Sequence, residues 1–447
     1  MKKNSENEFK KVVDRIFSLS TADETEILLF KSKNALTRYA ENYIHQNVSN
    51  ENLHLWIRTV IGKKTATATT DSFSEDALKQ TLENAISVTK LQKNNSKLLP
   101  LLGQQKYKKV NNFSQATDKT TPERRALEVS KAVNLCKKNG LEGAGIFSTE
   151  TSEMGIANSN GLFGYTSSTE ATFSITAMKG IASGWNEVIK KDINGIDVEK
   201  SAEIAIEKAE KSQFPNELKP GKYTVIMEPA AVAEFVLFLL WKGFNGMDYI
   251  EGTTFLKDGL NKKIFSENFS IIEDPYNPEI GSLPFDFEGT PIQKITLVEN
   301  GIPKNFVTNR WIAKETGVKN NGHSIPLPSQ NAYPFAMCIK PGKSSVPQMI
   351  KNTKKGVLVT HFHYSNLMDP ITLLTTGMTR DGFFLIENGE VTKPLKNMRF
   401  TESVINIFSN IEEIGKDREI ASAFFGGGFL VPAMKINNFN FSSSTEF

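Results

Sequence analysis

The sequence predicts an α+β protein, with an N-terminal α+β region over residues 1–215 and a β-rich, mainly antiparallel C-terminal domain over residues 216–447. Three observations carry that prediction. Helical and strand-like periodicities alternate through the first half, and their order returns after about 118 to 120 residues, as expected of two subdomains of one kind at residues 8–93 and 122–211. After Phe214 the pattern shifts to strands and turns. Two Asn-Gly pairs, Asn300-Gly301 and Asn388-Gly389, stand between apolar alternating runs. Asn-Gly is a strong hairpin signal because both residues tolerate positive φ.

The chain opens on the helical pattern EFKKVVDRIFSL, followed by strand-like runs at Thr25 to Lys33 and Leu53 to Gly62. A helix is expected from Ser74 to Lys93. Ser74 suits the N-cap, Glu75 and Asp76 suit the first turn, and Ala77, Leu78, Leu82, Ala85, Ile86 and Val88 make the apolar stripe. A polar stretch at Asn94 to Thr121 separates this unit from the next. The second unit starts a helix at Pro122, a residue favoured in a first turn, and continues through GAGIFSTE and the strand-like Ala171 to Gly180. It closes on a helix at Val198 to Lys211. Beyond Phe214, GKYTVIMEP reads as a strand stopped by proline, and AAVAEFVLFLLWKGF as a helix too apolar for a surface. A loop punctuated by Pro326, Pro328, Pro334, Pro341 and Pro347 lies between the two hairpins, and Thr401 to Gly415 reads as a helix.

Composition excludes several function classes. Lys and Arg (53) nearly cancel Asp and Glu (50), so a net charge of +3 gives no electrostatic footprint for nucleic acid. Cys136 and Cys338 are far apart without CxxC spacing, which suits a reducing compartment. The N-terminus shows no apolar leader segment. The longest apolar run, Phe235 to Trp241, falls well short of the roughly 20 residues a membrane helix needs. The expectation is a cytoplasmic protein with no membrane or nucleic-acid partner.

Three constellations could carry chemistry. His361 and His363 alternate in LVTHFHYSNLMDP, and alternate strand residues share a face, so the two imidazoles could ligate one metal. A catalytic zinc normally takes a third protein ligand, and the sequence offers only Asp369, Cys338 and His323. His361 and His363 therefore read more readily as cleft wall or sheet than as a metal site, and His323, in the loop NNGHS, reads as solvated. Asp286 and Glu288 in PFDFEGTP are either a carboxylate pair lining a cleft, able to grip a substrate amine, or a solvated strand-end turn. Arg380 and Asp381 in TTGMTRDGFF read as a Gly-flanked turn holding an ion pair or a clamp for a peptide. Gly426 to Gly428 lacks the Lys-Ser/Thr of a phosphate loop and leads into the strand-like FLVPAMKI. HExxH, GxSxG, Walker A and the Rossmann glycine fingerprint are all absent.

Taken together, VIMEPAAVAEF, PFDFEGTP, TNRWIAKETG, KKGVLVTHFHY, TTGMTRDGFFLIENGEV and VPAMKINNFNF, in that order, resemble the TldD/PmbA family, long labelled modulators of DNA gyrase. The likeness is clear from Gly221 to Phe441 and looser before it. The resemblance implies a cytoplasmic, two-subunit assembly acting on unfolded or extended peptides. One subunit type is a zinc peptidase, with HExxxH on the helix after the Gly221-type strand and a Cys nearer the C-terminus; its partner lacks these. The zinc would activate water against a peptide carbonyl, with the motif's Glu as base. This sequence departs from the zinc pattern. The helix at Pro229 to Gly243 contains no histidine, Glu234 stands alone, and no cysteine follows Cys338. The resemblance thus implies no cofactor in this chain and zinc in a TldD-like partner, while the residue patterns themselves offer Asp286, Glu288, His361, His363, Arg380 and Asp381 as candidates for substrate binding. The partner could be a TldD-like homologue or a second copy. Two alternatives stay open: a self-sufficient metallopeptidase with its metal moved to His361 and His363, and a peptide-binding or assembly protein without proteolytic role.

Overall fold

The computed structural model describes residues 2–445. The N-terminal region runs α1 (Lys2–Leu19), β1 (Glu24–Ala40), β2 (Tyr43–Ile61), β3 (Lys64–Thr70) and α2 (Glu75–Leu91). After the short α3 (Gln115–Asp118) the same order returns as α4 (Pro122–Lys138), β4 (Glu142–Asn158), β5 (Phe163–Lys179), β6 (Ala182–Lys190) and α5 (Val198–Lys211). Local chemistry sets the helix starts. The hydroxyls of Ser74 and Thr121 accept from the backbone of Ala77 and Arg124, and the carboxylate of Asp197 accepts from Lys200, each satisfying an otherwise orphaned N–H. Strands extend beyond their apolar runs because two-residue turns keep the ladders paired. Glu41 and Asn42, both at positive φ, join β1 to β2.

These six strands form one antiparallel sheet in the order β3-β2-β1-β4-β5-β6, joined at its centre by β1 and β4. One face is covered by helices: α1 and α2 pack Phe9, Ile16, Leu82 and Ala85 over Ile27, Leu55 and Ile57. Under α4 and α5 lie Tyr39, Phe147, Phe173 and Ile175. On the opposite face Leu28, Phe30, Trp56 and Met154 meet Phe285 and Phe287 of the C-terminal region.

The C-terminal region begins with β7 (Gly221–Met227) and α6 (Pro229–Phe238), followed by α7 (Gly246–Glu251), α8 (Leu256–Gly259), β8 (Ile271–Glu273), β9 (Ile295–Glu299), β10 (Ile302–Pro303), α9 (Arg310–Thr316), β11 (Met337–Ile339) and α10 (Val346–Lys351). It closes with β12 (Lys355–Asp369), β13 (Leu374–Glu387), β14 (Glu390–Pro394), β15 (Met398–Ser403), α11 (Val404–Ser409), β16 (Ile411–Ala423) and β17 (Gly426–Ser444). Eleven strands make a mixed sheet, and a second pairing of β7 with β17 closes five of them into a ring, β17-β15-β13-β12-β7. Every residue of α6 from Ala231 to Phe238 is buried, as its all-round apolar pattern requires. The ring of Phe235 sits 5.1 to 6.0 Å from those of Phe362, Phe400 and Phe439. The helix then widens into a π turn at Leu239–Gly243.

Asn300-Gly301 and Asn388-Gly389 form their hairpin turns with positive φ throughout. Two expectations are corrected. Thr401 to Gly415 is helical only at Val404–Ser409; β15 runs into it and β16 starts at Ile411, because pairing with β13 and β17 captures the flanking apolar residues. Arg380 and Asp381 lie within β13, where Arg380 pairs with His361 and Asp381 at φ 52° and Gly382 at φ 130° make a bulge opposite Thr360 in place of a turn. Among the described residues no helix is long and apolar enough to cross a membrane.

Candidate functional site

Strand β6, at the edge of the N-terminal sheet, points Ser183, Trp185 and Glu187 at the C-terminal region. Period-2 alternation puts the three on one face. There they meet β12, β13 and the hairpin between β16 and β17. Asp381 accepts from the Ser183 hydroxyl at 2.6 Å and lies 3.1 Å from His361 Nε2. The Trp185 indole tilts over the His361 ring at 4.5 Å. Burial pushes the Asp381 carboxyl up, but bonding to His361 and Ser183 outweighs it and holds the group below the usual range. Glu187 accepts from Ser422, and its burial raises its pKa.

Behind this layer, α6 presents Glu234, 1% exposed. Its Oε2 accepts from the Phe424 backbone N–H at 2.8 Å, whereas Oε1 has no hydrogen-bond partner. Burial raises its pKa, opposed by the Phe424 amide, the Ser365 hydroxyl and the nearby His361. The first helical turn is tied to α5 by Lys208, whose ammonium donates to Glu228 at 2.6 Å. A cavity of about 330 Å³ opens beside Asp381, lined by Ser183, Arg380, Lys396 and Asn397.

The two histidines of β12 are bound apart. Register breaks flank them, between Val359 and His361 and between His363 and Asn366, with Tyr364 at φ 51°. His361 is committed to Asp381, whereas His363 stands edge-on to the rings of Tyr364 and Phe424, each 4.5 Å away. Burial, with the charges of Arg380 and His361, lowers the His363 pKa. The other donors offered by the sequence lie elsewhere. Asp369 accepts from Ile371 and Thr372 in its own turn, and Cys338 is buried in β11 beside Asn277. Among the described residues no three His, Cys, Asp or Glu side chains converge to hold a metal ion.

Asp286 and Glu288 turn to different hydrogen-bond partners. Asp286 is fully buried and accepts from the backbone N–H groups of Glu288, Thr290 and Ser324 at 2.8 to 3.0 Å, so it braces a loop instead of facing solvent. Burial, then Glu288, raises its pKa against the pull of the three amides. Glu288 turns the other way, accepting from the Arg310 backbone N–H at 3.1 Å beside the ion pair of Glu26 and Arg58. His323 is also corrected: it is fully buried, with Nδ1 2.9 Å from Asn321 Oδ1 and Nε2 3.4 Å from Glu273. Its polar loop is drawn inward because Asn321 bonds the backbone of Phe306 and Thr308. Trp185, Glu187 and Glu273 gave no sequence signal. Glu234 gave one, a single acid within an apolar helix.

Between the helix-free face of the N-terminal sheet and the loop at 278–283 runs a groove. Two cavities of about 320 Å³ each share Ser152, Thr166, Ser168 and Leu283 as lining. Glu150 and Glu170 face each other directly across β4 and β5 at its side. The pKa of Glu170 is raised by burial and by Glu150.

Three family models match in order: PmbA/TldA metallopeptidase domain 1 over residues 25–89, the central domain over 112–213, and the C-terminal domain over 220–443. A metalloprotease of Archaeoglobus fulgidus is 29% identical over 249 residues, 54% of this chain and 56% of that protein. A metalloprotease of Methanothermobacter thermautotrophicus is 23% identical over 258 residues, 56% of this chain and 54% of that one. The chain thus spans about half the length of these curated relatives. A PmbA homologue of Haemophilus influenzae is 22% identical over 397 residues, covering 86% and 85%. Among solved structures, TldE from Thermococcus kodakarensis superposes with a TM-score of 0.86 at 23% identity, over 97% of this chain and 100% of that one. At that identity the likeness shows the fold. The C-terminal model alone spans half of the sequence, and the chain belongs to the PmbA/TldD metallopeptidase family.

Proposed function

We propose that this chain is a zinc-free, partner-type subunit that helps a TldD-like metallopeptidase take extended or unfolded peptides. The carrying observation is the surroundings of Glu234. Set against HExxxH, with Glu234 as the motif's Glu, the two histidine positions fall on Ala233 and Phe238, and both are fully buried in apolar contacts. The residues present do not fit zinc. A single carboxylate whose one oxygen already accepts an amide hydrogen is no ligand set, and His361 is held by Asp381. The chain would then contribute peptide seating. The groove over the N-terminal sheet carries the hydroxyls of Ser152, Thr166 and Ser168, to which the backbone of an extended chain laid there would bond. The cluster of Ser183, Trp185, His361 and Asp381 would hold the sheet edge against the C-terminal region so that the groove keeps its width. Two buried, unpaired cysteines fit a cytoplasmic setting.

The test is elemental analysis of untagged protein together with peptidase assays, alone and mixed with an HExxxH-bearing homologue. The reading expects substoichiometric metal, co-purification with the homologue, and turnover only in the mixture. Stoichiometric metal lost in His361→Ala would instead favour a displaced metal site. Peptide binding without turnover in any mixture would favour a binding or assembly protein.

A further inference from the structure

A fourth, smaller cavity shares no lining residue with the junction around Glu234. It measures about 100 Å³ and lies where the N-terminal sheet meets the C-terminal loops. One wall is Glu26 and Arg58, opposite each other on β1 and β2, their side chains 10% and 14% exposed and 3.3 Å apart at Oε1 and Nε. The other wall is Glu288, Arg310 and Trp311.

Its polar groups are not matched among themselves. The Trp311 indole N–H is buried without a partner, and Arg58 Nε, despite its ion pair, makes no well-aligned hydrogen bond. Among the described residues the Arg310 guanidinium makes neither a hydrogen bond nor a close ion pair; burial raises the pKa of Glu26 and of Glu288, and the Arg310 charge opposes that rise in both. The Lys97 ammonium sits 4.8 Å over the Trp311 ring. Buried donors without acceptors are rare in folded proteins and point to something that supplies the acceptor. Guanidinium forks suit a planar carboxylate.

The two wall carboxylates narrow the choice. A multiply charged anion such as phosphate would meet Glu26 and Glu288 at close range, whereas a ligand carrying an ammonium beside its carboxylate would pair with both signs. Size agrees with a small ligand, since a cavity of about 100 Å³ matches about three waters at roughly 30 Å³ each, room for a short side chain. The wall is prebuilt: Asp286 pins the loop through three amides, and the Tyr107 hydroxyl donates to Gly289 at 2.8 Å.

We propose that this cavity binds a small free α-amino acid, with Arg58, Arg310 and the Trp311 N–H on its carboxylate and Glu26 and Glu288 on its ammonium. Such a molecule is what complete hydrolysis of a peptide releases. The inference does not rest on the partner reading, because binding is measured on this chain alone with no peptidase present.

Calorimetric titration of the full chain with L-alanine, L-alaninamide, N-acetyl-L-alanine and inorganic phosphate tests it. Alanine should bind saturably, and each analogue lacking one charge should bind at least about 10-fold more weakly, one charge-assisted contact being worth about that factor. Arg310→Gln should weaken alanine by a similar factor, and Trp311→Phe, which keeps the ring and drops the N–H, by a few-fold. If Arg310→Gln fails to fold, Trp311→Phe still decides. No saturable binding of alanine, equal binding of alaninamide, tighter binding of phosphate, or unchanged affinity in Trp311→Phe would each overturn the proposal.

Discussion

The two sheets of this molecule differ in how regularly they pair. Of the five ladders in the N-terminal sheet, only that between β1 and β2 slips, at Arg38 and Tyr39. The C-terminal ladder of β12 with β13 breaks three times, and so does that of β16 with β17. The polar groups follow the breaks. His361 and Asp381 both stand at irregular positions of β12 and β13, and Glu234 is reached by the Phe424 amide where β16 turns into β17. A bulge re-aims side chains that regular alternation would send to the other face. The regular sheet buries charge only where plain alternation delivers it, as at Glu26 and Arg58, whereas the irregular one re-aims His361 and Asp381 by breaking its ladders.

The sharpest way to break this contrast is to remove packing from the irregular half. Phe235→Ala should cost about 3 to 5 kcal/mol in chemical denaturation, since its ring is enclosed by three others. A cost below about 1 kcal/mol would mean that the closed ring of strands does not depend on α6. Next in size, Asp286→Ala strands three buried backbone N–H groups and should cost about 3 kcal/mol by the same measurement, at one to a few per group less what water recovers.

A smaller effect sharpens the comparison through pH. Burial raises the Glu234 pKa above its unfolded value, so the folded state binds more protons there and stability falls as pH rises from the ordinary carboxylate range through the raised one. Glu234→Gln keeps an acceptor for Phe424 and removes the charge. Its melting temperature should match the parent at low pH and exceed it increasingly above the carboxylate range; a gap independent of pH would count against the assignment. The smallest perturbation leaves stability alone. Burial pushes the Cys136 thiol up to about 11 and the Cys338 thiol up to about 12, so both halves should resist thiol reagents at pH 8 until unfolded. Rapid labelling of either one in the native protein would show that its half opens locally.

The same contrast governs what the sequence made legible. Ser74, Thr25 to Lys33 and Asn388-Gly389 act through neighbours in the chain, so caps, strands and turns could be read where they stand. Arg380 and Asp381 looked like a turn because charge and glycine usually mean one; only pairing with β12 makes them a bulge. Local polarity reads His323 as solvated and leaves Asp286 open between a cleft and a solvated turn, yet their partners Glu273 and Ser324 lie 50 and 38 residues away. Burial of a charge is decided by what the fold brings to it, and no window of sequence contains that.

The pairing of β1 with β4 has a consequence for any attempt to divide the chain. Both strands are 17 residues long and each covers the other along most of its length. A fragment ending near Asn94 would lay bare the whole edge of β1, a row of unpaired backbone groups inviting another strand. The partner nearest in shape is a second copy of the fragment, which could pair β1 to β1 and rebuild a six-stranded sheet from two chains. Light scattering on that fragment should therefore find a dimer or larger aggregates, and a well-behaved monomer would show that the edge protects itself by other means.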